Sequence, residues 1–296
     1  MTSYAAVPFR HGLLSISAAA VAWGVGGAVS ALLMRTGGLG PAGVSCWRFG
    51  VAALCLALLP SREPRGERGG ERGTARWRAA GLTGLGLAVS QCAYFGSVRY
   101  AGLGLGTLIT IGAGPVFTSL GAHLLLGERL TRRAAAAVAL ALAGLALLVA
   151  APAAGPRPAL GVALAVLGGA GQSGLTLWAR GGGSARAGTG AFTTGLLCLL
   201  PLAAVQGAQG VLPTGGDPVV TAVALLFLGT VPTLFAYRWY FTGLTAVPST
   251  TAAVLVLLEP ATAAVIGVLF LGEPLTAGLL AGSALLLAAI AALARR

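Results

Sequence analysis

Ten apolar stretches, each about as long as a membrane is thick, leave this chain few ways to fold. Read with a window of about 19 residues, they run roughly over 12–34, 41–60, 79–98, 101–126, 134–151, 159–179, 188–206, 218–241, 247–271 and 275–294. At about 1.5 Å per residue each covers a hydrocarbon core of roughly 30 Å. Backbone groups in that core must be satisfied within the chain, so helices are expected. The composition agrees: 56% of the 296 residues are hydrophobic and 9% charged, far from the balance of a water-soluble domain. The expected fold is an all-α polytopic membrane protein with ten transmembrane helices. The segments between the stretches are too short for a soluble domain, so function must lie among the helices.

The net charge of +12 raises the possibility of nucleic acid, and the placement of the arginines argues against it. Arg62, Arg65, Arg68, Arg72, Arg76 and Arg78 crowd one loop. Arg10, Arg129, Arg132, Arg133, Arg180, Arg186, Arg295 and Arg296 fall on the same side when the chain is threaded through ten spans. Arg35, Arg157 and Arg99 are left to the other side, whose longest loop ends on Asp217. This asymmetry is the positive-inside pattern. It predicts both termini in the cytoplasm and contact with anionic lipid. The 19 basic residues are all arginine, and Gly and Ala are abundant, which suggests a bacterial protein of the plasma membrane. "SAAAVA" in the first stretch could serve as a cleavage site, but removing that stretch would leave an odd number of spans. It is expected to be retained.

The chain repeats itself. "GPVFTSLGAHLLLGERLTRRAAAAVALALAGLALL", from Gly114, aligns without a gap to "EPATAAVIGVLFLGEPLTAGLLAGSALLLAAIAAL", from Glu259, at an offset of 145 residues. The fourth and fifth stretches therefore match the ninth and tenth. Five spans per half is odd, so the halves, 1–152 and 153–296, must cross the membrane in opposite directions. Such inverted repeats can exchange conformations and open a central cavity first to one side and then to the other. No nucleotide site is expected, because no Walker-type Gly-Lys motif occurs, and no other cofactor is implied. Cys46, Cys55, Cys92 and Cys198 lack metal-ligand spacing, so no metal is expected either.

Together these motifs resemble the EamA family of the drug/metabolite transporter superfamily. They are "VAWGVGGAV" with Trp23 in the first span, Arg48 in "CWRFG", Pro115 and Pro260, and the twice-used "LGE.LT". The resemblance implies ten helices, a cavity between the halves, and secondary transport of small metabolites, amino acids and related compounds among them, mostly outward. The chain departs from the family where the sixth span carries Gln172 and Ser173 in place of a second Trp-Gly.

Glu259 is the foremost candidate. A carboxylate near the bilayer midplane costs at least about 2.5 kcal/mol and so faces a cavity or a partner. Pro260 beside it favours a kink. Glu259 is read either as a proton carrier or as the ion-pair partner of Arg48. On a continuous helix it would share a face with Leu255, Thr262, Ala263 and Ile266. Trp23, Arg48, Gln91, Tyr94, Thr110, Gln172 and Thr176 join it as candidate cavity residues. Gly127, Glu128 and Thr131, with their repeats Gly272, Glu273 and Thr276, read as tight helix-helix turns in which glycine ends one helix and threonine caps the next. Tyr237, Trp239 and Tyr240 read as interfacial anchors. Two rival functions are weaker. A channel would be expected to show a ring of charge or a carbonyl filter. "GQSG" at Gly171–Gly174 matches an intramembrane serine protease pattern, but His11 and His123 both precede Ser173, whereas such a serine needs its base on a later helix.

Overall fold

The computed structural model describes residues 7–58, 71–101, 103–129, 131–148, 156–180, 189–270 and 277–294. All regular structure among them is helical. The first half contains α1 (Phe9–Thr36), α2 (Pro41–Leu58), α3 (Glu71–Ala101), α4 (Leu103–Leu126) and α5 (Arg132–Leu148). The second contains α6 (Pro158–Arg180), α7 (Thr189–Gln206), the one-turn α8 (Ala208–Val211), α9 (Pro218–Gly229), a π-helical segment (Thr230–Phe235), α10 (Ala236–Leu244), α11 (Ser249–Leu255), α12 (Leu258–Phe270) and α13 (Ala277–Ala294). Helices occupy all ten apolar stretches; α9, the π segment and α10 form the eighth, and α11 with α12 the ninth. Four described runs are long and apolar enough to cross a membrane: Phe9–Met34, Ile109–Leu126, Pro158–Arg180 and Pro218–Leu244. The division between the halves, 152/153, lies outside the described residues.

The interior is built of small side chains and the periphery of large ones. Ala19, Ala20, Ala42, Ala52, Ala141 and Ala165 are inaccessible, whereas Leu125, Leu197, Val205 and Phe270 are largely exposed. Lipid solvates leucine as well as protein does, so helices in a membrane associate by close backbone approach instead. α3 is the exception in length: its 31 residues span roughly 46 Å at the helical rise, so its first turns, with Trp77 and Arg78 exposed, project beyond the hydrocarbon.

Packing between elements follows the repeat. α2 lies on α7, and α5 on α13, each span against its own counterpart. α6 packs against α3 and α4, while α1, its counterpart, packs against α10 and α12. Elements that touch their own counterparts place a pseudo-two-fold axis between them. The closest approaches obey the same axis. A Cβ on Gly24 would lie 2.6 Å from the Glu259 carbonyl oxygen, and one on Gly169 would lie 2.7 Å from the Thr110 carbonyl oxygen. The 145-residue offset converts Gly24 into Gly169 and Glu259 into Gly114, one helical turn beyond Thr110.

Two irregularities fall in the second half. Gly84 matches Gly229 at an offset of 145, but Tyr94-Phe95 matches Tyr240-Phe241 at 146. One residue is therefore inserted between, where the π segment lies. A π turn holds about one residue more than an α turn, so the insertion is absorbed without ending the helix. The ninth span, by contrast, is broken. Pro260 has no N–H to give the Val256 carbonyl, which accepts from Glu259 N–H instead (2.9 Å), while Leu257 N–H bonds Val254 (3.1 Å). The kink expected at the Glu-Pro pair is thus a break at Val256–Leu257. It separates Leu255 from the face that carries Glu259, correcting the continuous-helix reading. Pro115, in the first half, lies inside an unbroken α4.

Candidate functional site

Arg48 comes from the middle of α2. Its Nε donates to Thr233 Oγ1 at 3.1 Å, and that hydroxyl donates in turn to the Leu228 carbonyl at 2.7 Å, five residues back. Pro232, four residues after Leu228 and inside the π segment, has no N–H to give that carbonyl, so a side chain takes it, and the threonine that does so also anchors the guanidinium. Glu259 opens α12. Arg48 lies within electrostatic reach of Glu259 and Tyr237. Yet the two charges do not form a direct ion pair; among the described residues the ion pair in contact is Arg180–Glu128. Both Arg48 and Glu259 are half-buried, while their neighbours Phe49, Val254 and Leu257 are sealed. Opposite charges from different helices thus stand near each other without contact, each with residual exposure.

Aromatic rings gather beside Arg48. Trp23 of α1 packs on Tyr237 and Tyr240 of α10, with centroids 5.2 and 5.4 Å apart, and Phe192 meets Tyr237 edge-on at 6.1 Å. Trp23 Nε1 is buried and has no hydrogen-bond partner among the described residues, a state that costs about 1–3 kcal/mol. Tyr240 Oη and Thr176 Oγ1 share a hydrogen bond at 2.6 Å, and Thr176 also donates to the Gln172 carbonyl at 2.9 Å, so α6 is tied to α10. The interfacial reading of Tyr237 and Tyr240 is overturned: both are buried, and only Arg238 and Trp239 of that run face outward.

The other candidates gather elsewhere. Tyr94 and Thr110 approach Gly168 and Gly169 of α6, where Ser90 Oγ donates to the Gly168 carbonyl at 3.1 Å. Gln91 and Gln172 are half-buried on α3 and α6. Ser173 Oγ lies 3.0 Å from the Gly114 carbonyl and 2.8 Å from that of Gly169, so the serine of "GQSG" joins α6 to α4. His123, exposed at the end of α4, lies against the Glu128 carbonyl.

The first "LGE.LT" forms a turn. Gly127 takes φ 65°, a left-handed conformation that glycine adopts without a Cβ clash. Glu128 N–H closes on the Ala122 carbonyl (3.0 Å), and Thr131 Oγ1 caps α5 at Ala134 N–H (3.1 Å). Gly272, Glu273 and Thr276 lie outside the described residues. A separate groove of about 480 Å³ between α2 and α9, lined by Trp47, Val51, Leu225 and the 213–216 loop, has no ionisable side chain on its wall and therefore lacks the chemistry of the Arg48–Glu259 space.

The repeat shows how one-sided that chemistry is. At the 145-residue offset, Gly168 stands for Trp23, Thr193 for Arg48 and Gly114 for Glu259. The register places Gly168, rather than Gln172, opposite the tryptophan.

Thr233 and the inward tyrosines were not found by sequence reasoning. The one-residue change of register across the eighth span was the available signal.

Comparison with known proteins agrees with this architecture. The model of the EamA-like transporter family matches twice, over residues 10–150 and 159–295. An uncharacterized transporter of Bacillus subtilis (strain 168), YwfM, is 30% identical over 278 residues, covering 93% of this chain and 90% of that one. A solved structure, described only as the crystal structure of a protein, superposes with a TM-score of 0.73 at 20% identity over 96% of each chain, which shows the shared fold. The chain is a multi-pass membrane protein that belongs to the EamA-like transporter family of the drug/metabolite transporter superfamily.

Proposed function

We propose that the protein is a secondary transporter that exports small metabolites across a bacterial plasma membrane by alternating access, with both termini in the cytoplasm. Its substrate site is the space between Arg48 and Glu259. One observation carries this reading: two opposite charges lie deep in an apolar bundle, near each other but not paired. A structural pair would close to contact, because the desolvation cost of both ions is recovered only in good geometry. Charges held apart leave room for a ligand. Arg48, fixed by Thr233, complements an anionic group; Glu259 complements a cationic one or carries a proton; and Trp23, Tyr237 and Tyr240 supply an apolar wall with a spare indole donor. Amino acids and related compounds carry such groups. The halves, 1–152 and 153–296, act as the two moving units.

The test is counterflow in membrane vesicles. Vesicles preloaded with one member of a metabolite panel should transiently accumulate its labelled form, and Arg48→Gln should abolish this at equal folded abundance. Flux that rises linearly with concentration and shows no counterflow would point to a channel and refute alternating access.

A further inference from the structure

The carboxylate of Glu128 has a role that its turn does not explain. Its Oε2 accepts from Ser249 N–H at 3.1 Å and its Oε1 from Ser249 Oγ at 3.3 Å. Arg180 Nε lies 3.4 Å from Oε1. Glu128 ends the fourth span, Arg180 ends the sixth and Ser249 begins the ninth. One side chain of the first half thus holds two elements of the second, at one end of the molecule. Every residue of α11, Ser249 to Leu255, is buried at that end. The register adds a second observation. The offset of 145 carries Glu128 to Glu273 and Arg180 to Arg35, while Ser249 meets Gly104. In sequence register the repeat therefore carries an acid and a base at the matching positions, without the serine.

We propose that Glu128, with Arg180 and Ser249, is a latch that closes this mouth of the cavity, and that transport requires it to part. It is a positioning device: it touches no substrate, and sets how often α11 swings away from the ends of α4 and α6. A glutamate serving only the turn would have no need of partners from two other helices. The three side chains also have the chemistry to part repeatedly. The Glu128 and Arg180 side chains are partly exposed, at 22% and 30%, and Arg180 Nε meets the carboxylate as an ion pair at 3.4 Å without a hydrogen bond, so no hydrogen bond is lost when this contact parts. The inference rests on the alternating-access reading of the same bundle.

The experiment uses membranes that contain the full chain with Cys55, Cys92 and Cys198 replaced by serine and Thr250→Cys as reporter. Thr250 is buried beside Ser249, and the native Cys46, also buried, serves as internal control. N-ethylmaleimide labelling of each cysteine is followed by peptide mass spectrometry. Glu128→Gln should speed labelling of the reporter roughly ten-fold, the shift that follows from losing about 1.4 kcal/mol of closure, and leave Cys46 unchanged. Arg180→Gln should act in the same direction more weakly, and provides the test if Glu128→Gln does not fold. Exchanging the charges, Glu128→Arg with Arg180→Glu, should return part of the protection. An unchanged reporter, or a rise at both cysteines together, would overturn the latch. The ratio needs no substrate, so its failure leaves a positive counterflow result intact, and absent counterflow leaves the ratio intact.

Discussion

Gly24 and Gly169 offer a comparison that separates what the fold needs from what the site needs. A Cβ on Gly24 would lie 2.6 Å from the Glu259 carbonyl oxygen and 2.7 Å from Thr262 Cβ. On Gly169 it would lie 2.7 Å from the Thr110 carbonyl oxygen and 2.8 Å from Ala113 Cβ. Both obstacles include backbone, so the facing helix itself must retreat. Relief to an ordinary contact near 3.4 Å needs about 0.8 Å in the first case and about 0.7 Å in the second. Overpacking of this kind costs about 1–3 kcal/mol, offset by about 1 kcal/mol from the better helix propensity of alanine. Gly24→Ala and Gly169→Ala should therefore lower thermal stability in detergent by similar amounts, a net of roughly 0–2 kcal/mol. Transport should differ. Gly24→Ala pushes back the residue that carries the site's carboxylate, whereas Gly169→Ala pushes on α4, where Gly114 stands in its place. At equal folded abundance, Gly24→Ala should reduce counterflow roughly ten-fold, a loss of about 1.4 kcal/mol, and Gly169→Ala by less than about two-fold, under about 0.4 kcal/mol. Equal losses in the two variants would refute the assignment of the site to the Glu259 side of the pseudo-two-fold axis rather than to its counterpart at Gly114.

Three further outcomes follow from the same geometry. Thr233→Val removes the acceptor of Arg48 and the donor to Leu228, and should cost about 1–3 kcal/mol in thermal denaturation, with substrate affinity falling as well because the guanidinium loses its anchor. Glu259→Gln should abolish proton-driven transport while preserving exchange if Glu259 carries the proton; if instead the membranes show depleted protein that Arg48→Gln restores, Glu259 is a charge partner. Cysteines placed at Gly70 and Gly183 should resist an impermeant reagent in intact cells while one at Gly215 reacts, and labelling at Gly70 would reverse the orientation.

What the sequence revealed, and what it hid, both trace to helix phase. Apolar length is a property of whole segments and survives local irregularity, so all ten stretches could be read directly. The repeat was legible for the same reason: "LGE.LT" and its flanks keep a constant offset across two spans. The tyrosines could not be read this way. Tyr237-Arg238-Trp239-Tyr240 has the composition of a membrane-interface belt, and on an uninterrupted helix that reading is reasonable. The π turn just ahead of Tyr237 takes up one extra residue, so everything downstream lies about 100° from where an uninterrupted helix would put it. The rotation places Tyr237 and Tyr240 against Trp23 and leaves Arg238 and Trp239 outside. Pro260 announced a disturbance but not its form, because a freed carbonyl can bend a helix or, as at Val256, recruit a nearer N–H and break it.

The irregularities lie in the second half, while the charges come one from each half, Arg48 from the first and Glu259 from the second, and this bears on how such a bundle could work. A perfectly symmetric inverted repeat would have two mirror conformations of equal energy. That gives easy exchange, but nothing to bind and no preferred direction. Here the close glycine contacts and the helix pairings keep the symmetry, so the scaffold retains two comparable states. The π turn, the broken ninth span, Arg48 and Glu259 depart from it, each without an equivalent at the matching position. On this reading, binding chemistry is added once, at sites where the local backbone already departs from regular helix. Thr233 shows why the two belong together: the same hydroxyl that repairs the widened turn holds the arginine. Deleting Thr233 would restore regular helix and, because the π turn holds the one extra residue, leave the phase of α10 unchanged, so Tyr237 and Tyr240 should keep their packing on Trp23 and the helical scaffold should still form, while Arg48 loses its anchor and substrate binding fails.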